Sequence, residues 1–198
     1  MTLAILATVA LGIASGFFII PQSIVPYMGT IINIGLCILL FFVGIDIGNQ
    51  GDLFKKLKSM GFKILFVPIM VAVGSIVGTI IGGTLLSLPW NQAGAVGAGF
   101  GWYSLSAIEL SKYSAQLGTL AFITNISREV MALMLIPVVA RYIGKLESVA
   151  PGGATTMDVT LPVISKSTDG NIAVIAFITG VVLSSMVPVL VPLLMTFG

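Results

Sequence analysis

Histidine is absent from the 198-residue chain, and cysteine occurs once, at Cys37. Without imidazole there is no histidine proton relay, no zinc site built on histidine and no Ser-His-Asp chemistry. One thiol gives neither a disulfide within the chain nor a thiolate cluster. Charge is also scarce: Asp, Glu, Lys and Arg make up 8% of the residues, where an ordinary soluble domain carries about a quarter. A net charge of +2, with no basic face studded by aromatics, excludes nucleic acid as a partner. Any proton chemistry falls to carboxylates, and neither a metal, an organic cofactor nor an enzyme activity is expected.

What is present is apolar. Hydrophobic residues reach 57% and the mean hydropathy is +1.13. One core of this size cannot hide so many apolar runs of about twenty residues, so the composition defines an all-α integral membrane protein. Uncharged runs at 3–20, 28–46, 64–88 and 171–197 are long enough to span the hydrocarbon, Asp46 closing the second of them. The amino-terminal run MTLAILATVALGIASGFFI has no Lys or Arg before it and is too long for a signal-peptide core, so it reads as a first span. A fifth run, 115–140, carries Arg128 and Glu129 near its centre.

Two weaker segments, 90–114 and 147–166, are rich in Gly, Ser, Thr or Pro and can each cross, loop or re-enter. Lys55, Lys56, Lys58 and Lys63 put the 48–62 linker, and with it the amino terminus, in the cytoplasm. If both weak segments re-enter, Arg141, Lys145 and Lys166 join those lysines and only Lys112 lies outside, which the positive-inside rule favours. The expected fold is thus a single membrane domain over 1–198, with about five spans plus two re-entrant or broken-helix segments. The hairpins would dip in from opposite sides and flank the charged span, an inverted arrangement common among secondary transporters.

The candidate residues cluster there. In PGGATTMDVTLP (151–162), Pro151 and Pro162 interrupt a helix, and Gly152 and Gly153 allow bending and close approach. Thr155 and Thr156 precede Met157 as a candidate helix cap whose N–H groups attract an anion, and Asp158 follows. The alternative is an ordinary cytoplasmic loop. In the other hairpin, Gly94, Gly97, Gly99 and Gly101 lead into Trp102, Tyr103, Ser104 and a short helix with Glu109; interfacial anchoring and helix packing explain them equally well. Arg128 and Glu129 each cost roughly 3 kcal/mol or more at mid-membrane unless paired or wet. They point about 100° apart and need not pair, while Asn125 shares a face with Glu129; a structural ion pair is the other reading. Asp46 sits where an interfacial carboxylate is cheap. Gly74, Gly78 and Gly82 form a close-packing face.

In this order, the runs FFVGID (41–46), GFGWYSLS (99–106), NISRE (125–129) and PGGATTMDVTLPVI (151–164) resemble the lysine exporter family of the LysO type. The resemblance implies a bacterial inner-membrane antiporter that exports L-lysine and toxic analogues and is driven by protons. It also implies distant kinship with cation/proton antiporters and bile-acid-type transporters, whose sites lie at crossed, broken helices. Single-chain members carry about three further amino-terminal spans; a homo-oligomer or a small membrane partner subunit is therefore expected. Helix N-termini at the hairpins would meet a substrate carboxylate, and Glu109, Glu129 and Asp158 its ammonium groups.

Residues alone also permit a sodium-coupled carrier of organic anions that uses Arg128, or an accessory subunit. An intramembrane protease using Asp46 and Asp158 fits poorly, because neither aspartate has a GxGD setting and no PAL motif follows.

With the amino terminus inside and five full spans, the carboxyl terminus should lie outside. Reporter fusions at the carboxyl terminus test this: activity confined to a periplasmic reporter is expected, and activity confined to a cytoplasmic one would mean that 90–114 crosses.

Overall fold

The computed structural model describes residues 61–197, with side chains from Ile64 onward, and scattered positions between 7 and 45. The expected spans 3–20 and 28–46 are described only in part, and Asp46 lies outside the described residues. The rest is helical: α1 (Phe66–Leu85), α2 (Trp90–Gly97), α3 (Tyr103–Ser111), α4 (Ala115–Tyr142), α5 (Leu161–Ser167) and α6 (Gly170–Met195). Short 3-10 turns lie at Gly61–Leu65, Glu147–Val149 and Gly153–Met157. Among the described residues three helices, α1, α4 and α6, are long and apolar enough to cross a membrane. At about 1.5 Å per residue, the shortest of them covers about 30 Å.

Close glycine contacts give the directions. A Cβ on Gly83 would lie 2.4 Å from that of Ala93, and one on Gly97 would run into Thr79 and the Ser75 carbonyl. Helix α2 therefore returns along α1 from the Leu85 end to its middle. Helix α3 then runs against α4: Gly118 packs on Ser111 and Ala107, and Tyr103 meets Phe122 edge to face at 5.4 Å. The far end of α4 lies beside the start of α1, where Val139 and Ile143 share a cavity with Met70 and Val71. The segment from Trp90 to Ser111 thus enters and leaves at the Leu85 end.

The second broken segment mirrors it. Lys145, just after α4, pairs at 3.0 Å with Asp169, which also accepts the Ile172 N–H and caps α6. Partial burial works against the Asp169 charge, but Lys145 and the N–H groups of Ile172 and Asn171 outweigh it and hold the carboxyl below its usual range. Val149, Leu161 and Ile164 pack with Ile136 and Ala173 in one buried cluster. Helix α6 runs parallel to α1 and antiparallel to α4: its first half packs near Ile136, whereas Leu183, Val187 and Val191 share a core with Leu110 and Leu117. The 147–167 segment therefore enters and leaves at the Phe66 end, opposite to the first.

Local structure at the second tip differs from the expected cap at Thr156. Gly153–Met157 is a 3-10 turn that ends at Met157, and α5 begins only at Leu161. Gly153 takes φ 59, and the Thr155 and Thr156 hydroxyls bond back to the Gly152 and Gly153 carbonyls at 2.8 and 2.7 Å. These back-bonds compete with helical N–H pairing and tighten the turn. Pro162 is then tolerated in the first turn of α5, where an N–H would have no helical partner. Gly74, Gly78 and Gly82, expected to pack a neighbouring helix, meet no described atom within 4 Å.

Candidate functional site

The two hairpin tips touch. The Ala154 N–H donates to the Phe100 carbonyl at 2.9 Å, and Phe100 and Gly101 reverse the first hairpin with φ 49 and 97. Gly153 has no room for a side chain, since its Cβ would lie 2.3 Å from the Phe100 carbonyl oxygen. The charged span braces this crossing. Asn125, buried, accepts the Gly101 N–H at 2.8 Å and donates to the Val96 carbonyl at 3.1 Å, so broken backbone that water cannot reach still finds partners. Thr156, also buried, donates to the Ala176 carbonyl of α6 at 2.7 Å.

Beside the crossing lies a cavity of about 240 Å³. Gly101, Trp102, Tyr103 and Ser104 line it from the first hairpin, Ala154, Thr155, Met157, Asp158 and Val159 from the second, Glu129 from α4 and Ser184 from α6. Every one of these elements contributes a polar atom, yet among the described residues no Lys or Arg lines the cavity. Glu129 and Asp158 are both half-buried, and Asp158 accepts the Val159 N–H at 2.6 Å. Among the described residues neither carboxylate has a basic partner within 4 Å. The first turn of α3 lines the same space through Tyr103 and Ser104. Two carboxylates beside hydroxyls and an indole suit a cation with a polar companion.

The expected residues separate into groups. Glu129, Thr155, Asp158, Trp102, Tyr103 and Ser104 come together around the cavity. Asn125, Gly152, Gly153 and Thr156 form the crossing beside it. Arg128 faces away, toward Ser75 and the Ala150 and Pro151 carbonyls, so it does not pair with Glu129. Glu109 stands apart, near the Leu85 end, bound to Lys112 at 2.7 Å. Asp46 lies outside the described residues. Ser75, Met157, Val159 and Ser184 were not expected; the signal for the two serines was a hydroxyl within an otherwise apolar span, at GS (74–75) and SS (184–185).

Crossed broken helices entering from opposite ends, with acidic residues at the crossing, define a multi-pass membrane protein of the transporter class. The chain belongs to the lysine exporter LysO family, which it matches over residues 6–195. It is 39% identical over 159 residues to the lysine exporter LysO of Escherichia coli K12, covering 79% of this chain and 52% of that protein. It is 34% identical over 163 residues to a Haemophilus influenzae protein called "Putative lysine exporter", covering 82% and 83%. The chain thus spans about half the length of the E. coli relative. No solved structure matches it.

Exposure predicts thiol chemistry around the cavity. In a Cys37→Ala background, Ser104→Cys, which is exposed, should label readily with a small aqueous reagent, whereas Thr156→Cys, fully buried, should stay silent. Thr155→Cys should label slowly through the cavity it lines. Labelling of Thr156→Cys as fast as Ser104→Cys would show that the second segment is an open loop.

Proposed function

We propose that this chain forms the carrying unit of a secondary transporter that exports L-lysine, or a related basic amino acid, across the bacterial inner membrane in exchange for protons. The observation that supports this most is that Glu129 and Asp158 share a cavity with no Lys or Arg among its described lining residues, at the meeting point of the two hairpins. Its volume equals that of about eight water molecules at roughly 30 Å³ each, the scale of one free amino acid. The carboxylates would take the substrate's ammonium groups, and the first turn of α3 with Thr155 its carboxylate. After release, the same carboxylates would hold protons, so that cargo and proton exclude one another.

The names of the two relatives point the same way. A homo-oligomer or a small membrane partner subunit would complete the working protein. The organic-anion reading is weaker, since Arg128 turns away from the acidic cavity. The chain is read as a carrier rather than an enzyme.

Lysine counterflow in proteoliposomes, with and without a co-purified membrane partner, tests the proposal. Glu129→Gln should reduce exchange about tenfold or more, since it removes a charge that faces the cargo. Asp158→Asn should shift the pH dependence, and Glu109→Gln should behave like the parent. Normal exchange by Glu129→Gln, or equal damage from Glu109→Gln, would overturn the assignment of the cavity.

A further inference from the structure

Arg128 sits one helical turn from Asn125 on the charged span and reaches the second hairpin directly and the first through Ser75. Its Nη1 donates to the Ser75 hydroxyl on α1, and that hydroxyl donates on to the Gly97 carbonyl at 2.8 Å, the last residue of α2. Its Nε and Nη2 donate at 3.4 Å to the carbonyls of Pro151 and Ala150, just past the Glu147–Val149 turn. Carbonyls at the end of a helical segment carry partial negative charge, and that of Gly97 also accepts the Phe100 N–H at 3.2 Å. One guanidinium thus serves carbonyls of the second arm directly and that of the first arm through Ser75. It also presses on the crossing, because a Cβ on Gly153 would lie 3.0 Å from Nη2.

A second cavity, of about 440 Å³, lies on this face and extends past Val139 and Met70 toward the Phe66 end. Ala150 and Pro151 line it, Ala154 and Thr155 line the acidic cavity, and Gly152 and Gly153 form the backbone between them.

We propose that Arg128 is a positioning residue: by tying Ser75, Ala150 and Pro151 together it latches the hairpin crossing and keeps the Phe66-side cavity apart from the acidic one. Releasing these contacts joins the two spaces. The purpose of such a latch rests on the carrier reading, but the latch itself is a set of contacts and is testable without a transported substrate. A lysine at this position keeps the charge but loses the planar fork that serves three acceptors, so Arg128→Lys should hold the latch in part.

The test uses Ser184→Cys, on the wall of the acidic cavity, in the full chain with Cys37→Ala. A charged thiol reagent is applied in turn from each side of oriented vesicles, and labelling rates are compared. Arg128→Gln and Ser75→Ala should each raise labelling from the Phe66 side about tenfold, the effect expected from losing a charge-assisted bond. Arg128→Lys should raise it less, and labelling from the Leu85 side should not change in any of them. Unchanged labelling from the Phe66 side, or an equal rise from both sides, would overturn the latch. Lysine counterflow by the parent chain is scored separately: its failure alongside the expected labelling pattern would remove the substrate assignment and leave the latch standing.

Discussion

Backbone N–H and C=O groups inside a bilayer must find partners within the protein, and every unusual feature of this chain follows from breaking two helices where water cannot repair the loss. The hydrogen bond from Ala154 to Phe100 joins one break to the other. Asn125 satisfies Gly101 and Val96 on one side of that bond, and Thr156 satisfies Ala176 on the other. Glycine is required where the tips approach: Gly153 faces a carbonyl that leaves no space for a Cβ. Side chains that look like a reserve of polar chemistry in the sequence are thus largely occupied in holding backbone.

That division of labour clarifies the charged pair. Neighbouring residues on a helix diverge by about 100°, so Arg128 and Glu129 serve different faces of one span. The cation meets the Ala150 and Pro151 carbonyls of the second arm and the Ser75 hydroxyl, and the anion faces a cavity with Asp158. Opposite charges placed side by side therefore serve the scaffold on one face of the span and the acidic cavity on the other.

Much of this was legible in the sequence, because hydropathy and mid-span charge are strong signals. The all-α membrane class and the broken character of the two weak segments follow from composition, and Glu129 and Asp158, singled out as candidates, line one cavity. What was not legible depends on packing across distant segments. Thr155 and Thr156 look equivalent in TT, yet one lines the cavity and the other is buried against α6. Glu109 resembles a mid-membrane acid until α3 is seen to run back to the Leu85 end, where Lys112 lies one turn away. Ser75 and Ser184 carry no motif, and only the paths of α1 and α6 past the crossing give them a role.

The contact between the two tips holds the rest of the fold in place. A density map of the chain in a lipid nanodisc measures it directly. The Phe100 carbonyl should lie within hydrogen-bonding reach of the Ala154 N–H, with the tips arriving from opposite faces of the bilayer. Tips separated by the charged span, or a 147–167 segment lying wholly outside the hydrocarbon, would contradict it.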